Sequence, residues 1–206
     1  MRTEVIKMFK TQKLIMQRID SSEYGAFTSA DFLDLAPFKT INKSLELLED
    51  TGVLKKARRG VYYKPKYNEI LGIECAPGLN DIALAIARQF NWTIIPSGNY
   101  ALNIIGISTQ VPQKIVYISS GPYREYEIGA ASIVFKHSTS KEITSLRFNN
   151  LIAIQAIRTL GKENLSDTDI ESISRFLTEE DKAEIKKGIR ITYWIYEALR
   201  RAACTT

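Results

Sequence analysis

The segment from residue 38 to residue 65 constrains the fold of this chain most strongly, because a helical pattern ends there and a tight hairpin follows at once. Apolar residues recur at helical spacing and predict an amphipathic helix over about residues 38–51. Its apolar positions are Ile41, Leu45 and Leu48. Residues 53–65 then predict two short strands joined by a turn near Gly60. We therefore expect a small module in which a hairpin directly follows a helix.

Two further helical segments precede that helix. Apolar spacing predicts the first over about residues 3–19. Thr28 and Asp31 form a variant of the capping box and predict the start of a second, short helix. Residues 36–37, Ala-Pro, end it, because proline disfavours helical backbone in the residue before it and fits the first turn of a new helix. Three helices followed by a hairpin predict a winged helix-turn-helix domain over residues 1–67.

Positive charge is concentrated in the same third of the chain. Residues 1–67 contain thirteen Lys and Arg against eight Asp and Glu, which gives +5. Residues 68–206 contain fifteen of each, which gives zero. This asymmetry favours a polyanion-binding module joined to a neutral domain. A solvated basic face without a partner is the alternative that charge alone leaves open.

The candidate DNA contacts lie at the start of the helix over 38–51 and in the hairpin, which forms the predicted wing. The start of a recognition helix reaches base edges, and guanidinium groups suit phosphate oxygens. The candidates on the helix are Lys39, Thr40, Asn42 and Lys43. Those in the wing are Lys55, Lys56, Arg58, Arg59 and Tyr63. Alternate tyrosines of a wing strand pack inward, so at most one or two touch DNA. A winged helix that contacts protein instead of DNA is the alternative.

Residues 79–206 predict a second domain, after a connector over residues 68–78. Short strands and helices alternate over its first half and indicate a small mixed sheet with helices, so the whole chain is predicted to be α+β. Beyond residue 149 the pattern becomes helical. The sequences around Ser166 and Thr178 both match capping boxes that begin helices.

The sequence contains no recognisable catalytic or metal-binding constellation. The single histidine, His137, excludes a multi-histidine site, and two cysteines are too few for a cysteine-based zinc site. We expect His137 to hydrogen-bond to backbone at a strand end, and Asp167 and Asp169 to belong to a helix cap. No metal, no cofactor and no enzymatic activity are predicted, although an unfamiliar active site within residues 95–137 is a weaker alternative. Without a signal peptide or membrane span, we expect a cytoplasmic protein.

Several blocks of the sequence resemble AbiEi-type antitoxins, over a region from about Gly25 to the C-terminal helices. The blocks are residues 27–35, 59–67, 95–112, 114–122 and 133–137. The resemblance implies a winged helix-turn-helix that binds double-stranded operator DNA and represses its own operon. It also implies a C-terminal domain needed for antitoxicity. The implied partner, direct or indirect, is a nucleotidyltransferase-like toxin encoded nearby.

Overall fold

The structure of the chain is a computed structural model that describes residues 9–70, 72–110, 112–139 and 146–205. Helices and small sheets alternate in these ranges, which confirms the predicted α+β class. The chain divides into a first unit that ends at Trp92 and a second unit that begins at Thr93. Among the described residues, none of the helices is long and apolar enough to cross a membrane.

The helices of the first unit follow the predicted order. Helix α1 spans Lys10–Ser21, a 3-10 helix spans Ser29–Phe32, α2 spans Phe38–Asp50 and α3 spans Leu79–Gln89. Helix α2 confirms the prediction over 38–51. The first predicted helix is present from Lys10 onward, and residues 3–8 of that prediction lie outside the described residues. The predicted second helix is only a short 3-10 helix, because Pro37 follows too closely for a longer one.

Two antiparallel hairpins follow α2, and only the first was predicted. Strands β1 (Lys55–Arg58) and β2 (Val61–Tyr63) form the expected hairpin, with Gly60 in a left-handed conformation at the turn. Strands β3 (Lys66–Asn68) and β4 (Ile73–Cys75) form a second hairpin. The interpretation of residues 68–78 as a simple connector is therefore wrong. The turn forms because the Asn68 side chain accepts a hydrogen bond from the Ile70 N–H at 3.0 Å.

The core of the first unit fixes the orientation of α2. Ile41, Leu45 and Leu48 are fully buried, as their helical spacing predicts. They pack in one cluster with side chains from α1, the 3-10 helix, β2 and the segments that flank these elements. These partners are Ile15, Met16, Ile19, Phe27, Phe32, Leu54 and Tyr62. Because one face of α2 is committed to this core, its opposite face is left to solvent.

Helix α3 belongs to the first unit. Its Arg88 pairs with Asp31 through Nε and Oδ1 at 2.9 Å, and its Nη2 donates to the Ala26 carbonyl at 2.8 Å. The Arg88 guanidinium also lies over the Tyr24 ring, 3.8 Å from the centroid. The structure therefore differs from the expected division into residues 1–67 and 79–206. Its boundary falls after α3, because this long-range pair attaches that helix to the 3-10 helix.

The second unit contains a four-stranded mixed sheet within the described residues. Its strands are β5 (Ile94–Ser97), β6 (Lys114–Ser119), β7 (Arg124–Ile128) and β8 (Ala131–His137). The spatial order is β5-β6-β8-β7, with β6 and β8 parallel and the other two pairs antiparallel. Tyr117 and Phe135 are neighbours in the parallel pair and stack with their ring centroids 5.8 Å apart. The predicted hairpin over β7 and β8 is confirmed.

The helices of the second unit surround one apolar helix. They are α4 (Asn99–Ile105), α5 (Phe148–Leu160), α6 (Asp167–Phe176), α7 (Glu179–Lys186) and α8 (Tyr193–Cys204), with a 3-10 helix at Lys162–Asn164. Every residue from 150 to 157 is buried, so α5 is the central helix of this core. The predicted caps are confirmed: the N–H groups of Asp169 and Asp181 donate to the hydroxyls of Ser166 and Thr178, both at 3.2 Å.

Candidate nucleic-acid interface

Helix α2 presents a polar, basic surface at its N-terminal end. Lys39, Thr40 and Lys43 are exposed, whereas Asn42 is half-buried. The helix begins after Pro37 and has no acidic residue in its first turn. The positive end of the helix dipole and two lysines therefore share one surface, which favours an anionic ligand. Among the described residues neither lysine forms an ion pair.

The β1–β2 hairpin divides its candidate residues between two faces. Neighbouring strand residues point to opposite sides, and Lys55 lies opposite Tyr63 while Lys56 lies opposite Tyr62. Tyr62 is buried in the core, and Lys56 lies over its ring at 5.6 Å from the centroid. Tyr63 is half-buried. Lys55 and Tyr63 therefore share the face away from the core, and the hairpin does not bring Lys55 and Lys56 onto one surface.

The two arginines of the hairpin lie at the end of β1 and in the turn. The register of the pairing shifts between Lys56 and Arg58, which is the local irregularity of a β-bulge. Arg58 is half-buried, and Arg59 is exposed beside Gly60. Among the described residues Arg59 forms no ion pair. The guanidinium of Arg59 is therefore available to an external anion.

Two carboxylates contact the hairpin lysines, and sequence analysis did not identify either contact. Lys55 forms an ion pair with Glu74 of β4, and Lys56 forms one with Glu49 of α2. The hydrogen bonds that the two ammonium groups donate to these carboxylates raise the pKa of Lys55 and of Lys56 above the usual value. Glu74 reaches Lys55 from the second hairpin, which the sequence analysis did not predict. The turn residues Asn68 and Gly72 were the available sequence indication of that hairpin.

The tyrosines near the hairpin differ in their accessibility. Burial raises the pKa of Tyr62, which packs in the core and cannot stack on an external base. This confirms the expectation that alternate tyrosines turn inward. Tyr67, on β3, is 64% exposed and is more accessible than Tyr63. Tyr67 is therefore a better candidate for stacking, although the sequence-based set contained Tyr63.

Ion pairs away from this surface hold α1 against the segment that precedes α2. Arg18 of α1 forms two hydrogen bonds to the Asp34 carboxylate, at 2.5 and 2.7 Å. These bonds lower the pKa of Asp34 below its usual value. Lys64 pairs with Asp20 at 2.5 Å and links the end of the first hairpin to the end of α1. The basic surface therefore rests on elements that several contacts fix in place.

In the second unit, the residues considered for chemistry have structural contacts. The ring Nδ1 of His137 lies 2.9 Å from the Gly121 carbonyl, which confirms the predicted hydrogen bond to backbone. Asp167 pairs with Arg201, and Asp169 caps α6. Within the described ranges, no group of three or more His, Cys, Asp or Glu side chains is placed to hold a metal ion.

A family model described as "Family of unknown function (DUF6088)" matches residues 14–185 and therefore spans most of both units. No curated protein matches the chain.

Proposed function

We propose that this chain, which belongs to the DUF6088 family of unknown function, binds double-stranded DNA with its first unit. In this proposal α1, the 3-10 helix and α2 form a helix-turn-helix, α2 is the recognition helix and the β1–β2 hairpin is the wing. The observation that carries the proposal is the polarity of α2. Lys39, Thr40 and Lys43 are exposed at its N-terminal end, opposite a fully buried apolar face.

The geometry of α2 suits a major groove. With 13 residues the helix is about 20 Å long, enough to lie in the groove with its first turns toward the bases. Lys39, Thr40, Asn42 and Lys43 occupy those turns. Residues at this end of a recognition helix contact base edges, while the wing contacts phosphates. Arg59 at the hairpin turn supports the second role, because it is exposed and cationic.

We further propose that the protein represses its own operon as the antitoxin of a toxin–antitoxin pair. The support for this step is the resemblance to AbiEi-type antitoxins. The second unit then provides the antitoxin activity or the surface for a partner. A nucleotidyltransferase-like toxin is the proposed partner, directly or indirectly. Binding to an inverted repeat in the operator would bring two copies of the chain to one site.

The first experiment measures binding of the full chain to its own upstream DNA and to scrambled DNA at two salt concentrations. We expect tighter binding to the upstream sequence and loss of affinity with salt. The variant Lys39→Gln/Lys43→Gln should weaken binding to both DNAs. The matched control is Lys10→Gln/Lys13→Gln, which removes the same charge from exposed positions on α1. Equal effects of the two double variants would show that net charge alone drives binding.

The role of the wing has a separate test. We expect Arg58→Ala with Arg59→Ala to weaken binding to every sequence and to flatten the dependence of log K on log salt by up to about 2 units. Normal binding with an unchanged slope would show that the hairpin does not contact DNA.

A protein-interaction module is the second candidate, and exposed apolar side chains beside α2 favour it. Leu33, in the segment before α2, and Phe38, its first residue, are 50% and 58% exposed. A protein partner would cover these side chains. In that case the chain would show no salt-sensitive affinity for DNA. Salt-sensitive binding that Phe38→Ser leaves unchanged would contradict this alternative.

A further inference from the structure

Two carboxylates in the first unit contact lysines of the β1–β2 hairpin that are candidates for DNA-phosphate contacts. Glu74 contacts the ammonium group of Lys55, and Glu49 contacts that of Lys56. The two carboxylates come from different elements, β4 and the last turn of α2. The two acidic residues therefore reach the hairpin from separate parts of the fold, one for each lysine.

Both pairs are partly exposed to solvent. The side chains of Lys55 and Glu74 are 48% and 50% exposed, and those of Lys56 and Glu49 are 37% and 28% exposed. Exposed pairs of this kind contribute little to folding, because water solvates both charges well when the pair opens. Another anion can therefore readily replace the carboxylate at the same lysine.

We propose that Glu49 and Glu74 are affinity-determining residues that act as intramolecular substitutes for DNA phosphates. This inference rests on the proposed DNA binding. In the free protein each carboxylate holds one hairpin lysine, and in the complex a phosphate replaces it. Because Lys55 and Lys56 lie on opposite faces of the hairpin, the two phosphates lie on either side of the wing. DNA binding then proceeds by exchange of one anion for another, and the two carboxylates reduce the affinity for every sequence.

The exchange has a measurable consequence for salt dependence. A lysine that binds a phosphate releases a condensed counterion from the DNA, which contributes about 0.9 to the slope of log K against log salt. A lysine that must first leave a carboxylate contributes little to this slope, because the freed carboxylate binds a cation from solution and offsets the counterion released from the DNA. Removing the carboxylate should therefore make the slope steeper, by up to about 0.9 for each lysine.

The experiment compares Glu49→Gln and Glu74→Gln with matched controls in the full chain. The controls are Asp50→Asn, beside Glu49 on α2, and Glu69→Gln, in the turn of the β3–β4 hairpin. Both are exposed, and neither forms an ion pair among the described residues. We expect each test variant to bind upstream and scrambled DNA about two- to fivefold more tightly than its control, with an unchanged ratio between the two DNAs. Effects equal to those of the controls would overturn the proposal.

A double-mutant cycle assigns the effect to the individual pairs. In a Lys55→Gln background the gain from Glu74→Gln should fall to that of its control, and in a Lys56→Gln background the same should hold for Glu49→Gln. Persistence of either gain without its lysine would show that the carboxylate acts by general repulsion of DNA, which contradicts the exchange.

A measurement without DNA separates this inference from the proposed function. Because Glu74 raises the pKa of Lys55, Glu74→Gln should speed acylation of Lys55 by an amine-reactive ester, with Lys39 as the internal reference. Faster acylation of Lys55 combined with the expected binding data supports the exchange. If no variant binds DNA, both the proposed function and the exchange fail. If DNA binds and the cycle shows no coupling, only the exchange fails.

Discussion

Arg88 connects α3 to the helices before it, and its removal should destabilise the first unit. The side chain is 25% exposed and its partner Asp31 is 11% exposed. In Arg88→Met the aliphatic part of the side chain is kept, while three contacts are lost. These are the ion pair with Asp31, the hydrogen bond to the Ala26 carbonyl and the contact over the Tyr24 ring.

The magnitude follows from the burial of the pair. Breaking a fully buried ion pair costs about 3–5 kcal/mol, and an exposed one at most about 1 kcal/mol. The pair of Arg88 and Asp31 lies between these limits. Asp31 also keeps its hydrogen bond from the Thr28 N–H at 2.7 Å, which limits the loss. Together with the lost bond to Ala26, we expect the free energy of unfolding of the first unit to fall by about 2–4 kcal/mol.

Urea unfolding followed by tryptophan fluorescence measures this change. The chain has two tryptophans, so in a Trp194→Phe background the signal comes from Trp92, the last residue of the first unit. Arg59→Met is the matched control, since Arg59 is exposed, and it should change stability by less than about 0.5 kcal/mol. A double-mutant cycle with Asp31→Asn should show coupling above about 0.5 kcal/mol. Arg88→Met with no more effect than the control would refute the reasoning.

Three other predictions concern base contact, a buried carboxylate and a pH-dependent pair. Asn42→Ala should lower the preference for upstream over scrambled DNA by about fivefold or more, measured by competition binding. An unchanged preference would show that Asn42 does not contact a base. Asp181→Ala should destabilise the second unit by about 2–4 kcal/mol in urea unfolding, because the hydrogen bonds that the buried carboxylate accepts from the Thr178 N–H, Asn149 and Arg147 are then lost. Glu179→Ala, at an 83% exposed side chain, should have little effect. Hydrogen bonds from Arg18 lower the pKa of Asp34, so this pair stabilises the fold at neutral pH. That contribution is lost as the pH falls below 3.8 and through the lowered pKa of Asp34. A carbon-detected NMR titration of Asp34 with a midpoint at or above 3.8 would contradict this prediction.

The parts of the fold that could be predicted are those whose causes lie close together in the sequence. Helix α2 follows from the spacing of Ile41, Leu45 and Leu48, and one side of that helix must be polar once the other is buried. The caps at Ser166 and Thr178 each need only a hydroxyl and a carboxylate three residues apart. The first hairpin follows from a glycine between two short strands. The exposure of Lys39, Thr40 and Lys43 is a direct consequence of that local pattern.

The sequence by itself therefore determined helix α2 with its polar face, the first hairpin and the helix caps, since residues close together in the chain decide these features. Only the tertiary structure decided which distant groups meet. Arg88 reaches Asp31 across 57 residues, and Lys55 reaches Glu74 across 19. The parallel pairing of β6 with β8, and the place of α3 in the first unit, are of the same kind. Such contacts depend on the path of the whole chain, because many charged and apolar residues are chemically suitable partners and only packing brings one of them within reach.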